Sequence, residues 1–255
     1  MNKILNNPLV NKHIFFPRWT NVEPTNLIDV GGIKLACYYK NPYPNSGTIL
    51  HFHGNGELAA DYWEELSSLF TDSGLNVCFV DYRGYGLSEG EPELITQLGD
   101  GAAIVKSLGV PLDKLIVLGR SLGSVFAIDL VDRLPGIAGL VLESAIADVL
   151  EDWRLEQVTE EIGADLKGLQ KEVNEHLDLH EKMSGYRGHL LILHTEHDDC
   201  VHISNAERLY SWGGTKNKRM VVFPVGDHNT IMHFNTSEYT KELFEFAKLI
   251  GVVDA

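Results

Sequence analysis

A serine flanked by glycines is the first feature of this sequence that could do chemistry. The run Gly119-Arg120-Ser121-Leu122-Gly123 directly follows the apolar run Leu115–Leu118. The pattern G-x-S-x-G is typical of a nucleophilic serine on a sharp strand-to-helix turn, because small neighbours let the helix approach the strand. The helix N-terminus also offers free N–H groups and a positive dipole end to a developing oxyanion. We predict Ser121 as a nucleophile; the alternative is that Ser121 only caps the helix.

A glycine-rich turn follows another predicted strand. His51-Phe52-His53-Gly54-Asn55-Gly56 ends the strand Thr48–Phe52. A turn at the carboxyl end of a strand can aim a backbone N–H at the oxyanion that a nucleophilic serine creates. The backbone N–H groups of Asn55 and Leu122 are therefore the predicted oxyanion donors, and an ordinary strand-to-helix loop is the alternative.

An acidic segment follows the predicted strand Leu190–His194. Asp198 lies a few residues beyond that strand, where a carboxylate can reach an imidazole and fix its tautomer. Glu196 and Asp199 are competing acids, and the whole segment could also be a solvated loop. A metal site is another interpretation of this segment, since it contains His194, His197, Asp198 and His202, but their spacing matches no defined ligand pattern. We therefore predict no metal and no cofactor.

A histidine in a loop of small residues is the predicted general base. His228 lies in Gly226-Asp227-His228-Asn229, after the predicted strand Met220–Phe223. Such a loop allows an imidazole to reach over the sheet edge toward Ser121. His233 is the fallback base, and a surface histidine without a role is the alternative. The chain order is then serine, aspartate, histidine.

Short apolar runs alternate with longer amphipathic segments along the chain, which favours a doubly wound, mostly parallel sheet of about eight strands in an α/β fold. The later strands are apolar on both faces, as parallel strands covered by helices are. The turn Gly31-Gly32 predicts that the sheet begins with an antiparallel hairpin. Besides the strands already named, we predict strands at Leu27–Val30, Ile33–Tyr39, Asn76–Val80 and Leu140–Leu142. Helices are predicted at Leu58–Ser73, Glu93–Ser107, Ser121–Leu134, Ile203–Trp212 and Thr236–Ile250.

The segment 146–183 interrupts this alternation with a helical apolar stripe. Gly163 and Gly168 are expected to weaken or break the helix there. We interpret the segment as a small helical cap over the active site, inserted in a single domain that spans residues 1–255. Its 11 acidic residues outnumber its four basic ones. If these charges faced the pocket, they would disfavour anionic substrates; the alternative is a solvated helix face.

Composition excludes several classes of function. The 255 residues carry a net charge of −15, so nucleic acid would be repelled from most of the surface. The three cysteines are few and far apart, which does not indicate a disulfide framework. The N-terminal residues lack the apolar stretch of a signal peptide, and no run approaches the length of a membrane span. We expect a cytoplasmic protein without a membrane span, and the oligomeric state stays open.

Two further motifs support a family resemblance. Asp81-Tyr82-Arg83-Gly84-Tyr85-Gly86-Leu87-Ser88 resembles the D-x-R-G-x-G-x-S loop of the α/β-hydrolase superfamily, and His53-Gly54-Asn55-Gly56 resembles the H-G-N-x turn of its small members. With the serine motif, the resemblance extends over about residues 27–250. It implies the α/β-hydrolase fold, a small serine esterase or acyl-thioesterase-like branch, Asp198 as the acid and His228 as the base. Thr195 and His202 depart from the glycine and proline that are common at these positions.

These residues together predict a serine hydrolase whose substrate is a small-molecule acyl ester or thioester. Ser121 would attack the carbonyl, His228 would move the proton, and Asn55 and Leu122 would hold the oxyanion. The same groups could serve an acyltransferase or a cofactor-free perhydrolase. A non-catalytic ligand-binding protein of the same fold is the remaining alternative.

Overall fold

An eight-stranded sheet forms the centre of the protein in a computed structural model, which describes residues 4–253 except the side chains at positions 64 and 65. All eight predicted strands are present. Their order in the sheet is β1-β2-β4-β3-β5-β6-β7-β8. The strands are β1 (Asn26–Val30), β2 (Ile33–Lys40), β3 (Thr48–Phe52), β4 (Asn76–Val80), β5 (Leu115–Arg120), β6 (Gly139–Glu143), β7 (His189–Thr195) and β8 (Lys218–Phe223).

The direction of the strands explains where the functional loops lie. β1 and β2 form the predicted antiparallel hairpin, and β2 also pairs antiparallel with β4. From β4 to β8 all pairings are parallel. Residues of β3 to β6 are buried throughout, as the continuous apolar runs predict. Because parallel strands end at one edge of the sheet, the loops after β3, β5, β7 and β8 share that edge.

Helices cover both faces of the sheet, and two differ from the sequence prediction. The helix predicted at Glu93–Ser107 is two helices with Gly99 between them, a residue with low helix propensity. The last helix begins before Thr236 and is kinked at Asn235, whose side chain donates to the backbone carbonyl of Ile231 in the same helix. The helices outside the insertion are α1 (Pro8–Ile14), α2 (Ala59–Asp72), α3 (Leu94–Gln97), α4 (Asp100–Leu108), α5 (Leu122–Arg133), α10 (Ser204–Trp212) and α11 (Ile231–Leu249).

Four helices occupy the predicted insertion between β6 and β7. They are α6 (Val149–Asp152), α7 (Leu155–Glu161), α8 (Leu166–His176) and α9 (Leu179–Gly185). The side chains of Asp148, Asp165 and Asp178 accept hydrogen bonds from the first N–H groups of α6, α8 and α9. The helix breaks at Gly163, as expected. Gly168 lies inside α8, contrary to the expectation, in a first turn that Asp165 caps.

The N-terminal segment was not predicted to have structure. A short 3-10 helix (Ile4–Asn6) precedes α1, and the carboxylate of Glu172 in α8 accepts the backbone N–H groups of Ile4 and Leu5 at 3.0 Å each. This contact ties the start of the described chain to the insertion. Among residues 4–253, no helix combines the length and the apolar character that crossing a bilayer requires.

The turn from β5 to α5 leaves no room for a Cβ atom at its two glycines, Gly119 and Gly123. A Cβ at Gly123 would lie 2.1 Å from the backbone oxygen of Phe52, and one at Gly119 would lie 2.6 Å from the Cβ of Ala127. Ser121, between them, has φ 49° and ψ −119°. The close approach of α5 to β3 and β5 therefore depends on both glycines, as the G-x-S-x-G pattern predicts.

We predict that Gly123→Ala destabilises the protein, because the new methyl group meets backbone that cannot rotate away. The expected loss is about 2 kcal/mol or more in the free energy of unfolding, measured by urea titration. Gly185→Ala is the matched control, since a Cβ there meets nothing within 4 Å. Equal stability of the two variants would contradict this account of the turn.

Candidate active site

Ser121 and His228 meet at the edge of the sheet where β5 and β8 end. The imidazole Nε2 of His228 lies 3.0 Å from the hydroxyl Oγ of Ser121. The Ser121 side chain makes no hydrogen bond to the N-terminus of α5, so the helix-cap alternative is not realised. The backbone of Ser121 lies in a positive-φ region that strains any side chain, and such strain concentrates at functional sites.

Asp198 completes a continuous series of hydrogen bonds with these two residues. Its carboxylate oxygens lie 3.0 and 2.9 Å from Nδ1 of His228. Because a carboxylate only accepts, Nδ1 carries the hydrogen and Nε2 is left to accept from the Ser121 hydroxyl. The backbone N–H groups of Val201 and Cys200 also donate to Asp198, at 2.7 and 3.0 Å.

The surroundings of Asp198 keep its carboxylate ionised. Burial alone would raise the pKa of Asp198, but the hydrogen bond and charge of His228 and the backbone N–H of Val201 outweigh it. The net effect is a pKa below the ordinary value for aspartate. At neutral pH the imidazole therefore faces a fixed negative charge on its Nδ1 side.

The competing residues named from the sequence lie elsewhere. Glu196 and Asp199 are exposed, and His233 lines a neighbouring cavity rather than the one beside Ser121. His194 is buried, with Nε2 at 2.9 Å from the carbonyl of Val201, and His202 bonds Ser204. Within residues 4–253, histidine, cysteine and acidic side chains form no group of three able to hold a metal ion.

Several polar groups of the turn after β3 are held by hydrogen bonds. The carbonyl of His53 accepts from the Tyr82 hydroxyl at 2.6 Å, and the N–H of Gly54 donates to Glu57 at 2.6 Å. The carbonyl of Gly54 accepts from Nδ1 of His53 at 2.7 Å. The backbone N–H of Asn55 has no partner among the described residues.

The side chain of Asn55 fixes this turn to the N-terminal segment. Its Oδ1 accepts from the backbone N–H of Phe16 at 2.9 Å and from the Tyr85 hydroxyl at 2.8 Å. Its Nδ2 donates to the carbonyl of Ile14 at 2.5 Å. The second predicted donor, Leu122, is the first residue of α5, so its N–H has no partner one turn back in the helix.

Arg120 is the functional residue that sequence reasoning missed. Its guanidinium is buried and donates to the His228 carbonyl at 2.8 Å, to Glu57 at 2.9 Å and to Glu143 at 3.2 Å. Burial lowers the pKa of Arg120, but Glu143 and Glu57 outweigh this and raise it, so the charge is permanent. No sequence pattern could reveal these contacts, because Glu57, Glu143 and His228 lie 63, 23 and 108 residues from Arg120 along the chain.

Ser121 and His228 line a cavity of about 440 Å³. The insertion contributes Asp152, Trp153 and Arg154 to its wall, and the N-terminal segment contributes residues from His13 to Phe16. Of the 11 acidic residues counted in the insertion, all within the described part of the chain, Asp152 alone lines this cavity. Burial raises the pKa of Asp152 to about 6. The acidic excess of the insertion thus lies mostly away from the cavity.

The chain matches a known family over more than half of its length. The family model described as "Serine aminopeptidase, S33" (Hydrolase_4) matches residues 43–183. Protein YfhR of Escherichia coli (strain K12) is 27% identical over 233 residues, which are 84% of this chain and 76% of YfhR. The α/β hydrolase domain-containing protein aho-3 of Caenorhabditis elegans is 36% identical over 118 residues, 44% of this chain but only 35% of aho-3.

Solved structures share the fold at low sequence identity. An esterase of Pyrococcus furiosus, Pf2001, has a TM-score of 0.71 at 17% identity, over 93% of this chain and 99% of that one. Est1E of Butyrivibrio proteoclasticus, solved with ferulic acid, has a TM-score of 0.68 at 19% identity, over 87% and 97%. This chain therefore belongs to the Hydrolase_4 family, within the α/β-hydrolase superfamily.

Proposed function

We propose that this protein is a serine hydrolase that cleaves a carboxylic ester or thioester of a small molecule through an acyl-enzyme. The observation that carries the proposal is the series of hydrogen bonds from the Ser121 hydroxyl through His228 to Asp198, which opens onto a cavity. A hydroxyl is a weak nucleophile at neutral pH, and an adjacent imidazole held by a carboxylate is the standard way to activate it.

The reaction then proceeds in two halves. His228 removes the proton as Ser121 Oγ attacks the acyl carbon, and the resulting imidazolium protonates the alcohol or thiol that leaves. Water, deprotonated by the same imidazole, attacks the acyl-enzyme and releases the carboxylic acid and the free serine. Asp198, ionised at neutral pH, stabilises the imidazolium in both halves. No step requires a metal or a redox cofactor.

The oxyanion of each tetrahedral intermediate would be held by the backbone N–H groups of Asn55 and Leu122. The Asn55 N–H has no hydrogen-bond partner among the described residues, and Asn55 lines the cavity with Ser121. The Leu122 N–H lies at the positive end of α5, directly after the nucleophile. Donors already fixed in direction need no reorganisation during the reaction, which is what makes such sites effective.

The substrate class rests on the cavity and on the relatives. A volume of about 440 Å³ suits a ligand of modest size. The structural relatives include an esterase and Est1E, solved with ferulic acid, whereas the family carries the description serine aminopeptidase. We assign ester or thioester hydrolysis to this chain. The assay must compare this activity with cleavage of an amide bond at the amino terminus of a peptide.

We predict that Ser121→Ala abolishes ester hydrolysis and labelling by a fluorophosphonate, which phosphonylates an activated serine with loss of fluoride. The variant should keep its thermal unfolding midpoint, because His228 is the one hydrogen-bond partner of the hydroxyl among the described residues. A panel of p-nitrophenyl esters and aminoacyl p-nitroanilides measures the activity. Ser211→Ala, on the exposed face of α10, is the control. Wild-type protein that neither hydrolyses the esters nor takes up the label would refute the proposed function.

We also predict a pH-dependent charge preference caused by Asp152. Above pH 6 this carboxyl becomes ionised and repels an anionic substrate, so the kcat/KM ratio of a carboxylated ester to its neutral analogue should fall as pH rises through about 6. Because the ratio compares two esters at the same pH, the titration of groups that affect both esters equally does not change it. Asp152→Asn should show a clearly weaker change of this ratio. The same profile in the variant and the wild type would show that Asp152 does not face the substrate.

A further inference from the structure

A buried histidine–aspartate pair lies behind the turn after β3. His53 and Asp81 have fully buried side chains, and Nε2 of His53 is 3.4 Å from Oδ1 of Asp81. Oδ1 also accepts the backbone N–H of Ala59, the first residue of α2, at 2.8 Å. The pair therefore connects the end of β4, the start of α2 and the turn, yet neither residue touches Ser121 or His228.

One hydrogen bond of the His53 ring shows how the imidazole acts on the turn, and Nε2 has no hydrogen-bond partner among the described residues. Nδ1 is 2.7 Å from the carbonyl of Gly54, and a carbonyl can only accept, so Nδ1 carries a hydrogen. Nε2 faces the carboxyl of Asp81 on the opposite side of the ring. The rings of Tyr82 and Tyr85, with centroids at 4.3 and 5.5 Å, prevent the imidazole from moving away.

The geometry of the peptide group explains how this contact fixes the direction of the proposed oxyanion donor, the backbone N–H of Asn55. The carbonyl of Gly54 and the N–H of Asn55 belong to the same peptide group. Peptide bonds in the described chain are all trans, so this carbonyl and this N–H point in opposite directions. A bond that holds the carbonyl toward His53 therefore holds the Asn55 N–H away from His53, toward the open side of the turn.

We propose that His53 is a positioning residue that aims the backbone N–H of Asn55 at the oxyanion. The inference rests on the proposed serine hydrolysis and deepens it. Glycine permits rotation of the following peptide, and a flipped Gly54–Asn55 peptide would direct a carbonyl oxygen at the negative charge. The other bond to that carbonyl, from the N–H of Glu57, is long at 3.4 Å, so His53 supplies the main restraint.

The side-chain bonds of Asn55 do not replace this restraint. They fix the side chain of Asn55 to Ile14, Phe16 and Tyr85, on the far side of its Cα. The peptide before Asn55 can still rotate about the bonds on either side of it. The two sets of contacts therefore act on different torsions, and both are needed to define one N–H direction.

The test compares donors placed at the two ring-nitrogen positions of His53. Asn places its amide N–H near the position of Nδ1, whereas Gln places it near that of Nε2. We expect His53→Gln and His53→Leu to lower kcat by about 10- to 100-fold on a p-nitrophenyl ester, with KM changed less than about threefold. His53→Asn should recover most of the loss. The fluorophosphonate labelling rate, which needs the same oxyanion donors, should follow the same order.

The control separates positioning from stability. His51 is also buried and lies on β3, two residues before His53, but its ring contacts Tyr62 and Phe79 rather than the turn. His51→Leu should therefore lower the unfolding midpoint without the loss of kcat. Folded His53→Gln with wild-type kcat, or equal kcat in the Asn and Gln variants, would overturn the inference while leaving the proposed function intact. Wild-type protein without esterase activity or labelling would overturn both.

Discussion

The buried guanidinium of Arg120 is the interaction on which the site depends. Arg120 is the last residue of β5, directly before Ser121. Its guanidinium reaches the His228 carbonyl in the loop after β8, Glu143 at the end of β6 and Glu57 beside the turn after β3. Glu57 in turn accepts the N–H of Gly54 and the hydroxyl of Tyr62. Removing one member would leave a buried charge uncompensated, which costs several kcal/mol. One side chain thus connects the loops that carry Ser121, His228 and Asn55, the proposed nucleophile, base and oxyanion donor.

Close packing and hydrogen bonds fix the backbone around Ser121. Ser121 has a strained backbone, and the surrounding strand ends and close helix contact keep it in that conformation. Ser121 and Asn55 both line the cavity, where the Ser121 hydroxyl lies beside the imidazole of His228. An arrangement fixed before substrate binds lowers the reorganisation that a charged transition state requires.

The sequence predicted the parts that depend on local pattern. Eight strands followed from apolar runs, and Ser121, Asp198 and His228 followed from their positions after strands that end at one edge. The sequence could not reveal Arg120, because its bonds join positions far apart and its place in G-x-S-x-G is a variable one. The N-terminal helix at Pro8–Ile14 was missed although Asn7 caps it and Pro8 occupies its first position, both local signals of a helix start. It also contacts the insertion and the turn after β3 through His13 and Ile14. The expected break at Gly168 was wrong because the Asp165 cap offsets the low helix propensity of glycine.

The most direct test of this account is the fluorophosphonate labelling rate of Ser121 in Arg120→Lys, measured at a temperature where circular dichroism shows the variant folded. Lysine keeps the positive charge between Glu57 and Glu143, but its single ammonium cannot also hold the His228 carbonyl in the same planar fork. We expect the second-order labelling rate to fall by about tenfold or more, since small displacements of a catalytic group are costly. A folded variant that labels at the wild-type rate would contradict the claim that Arg120 holds the site together.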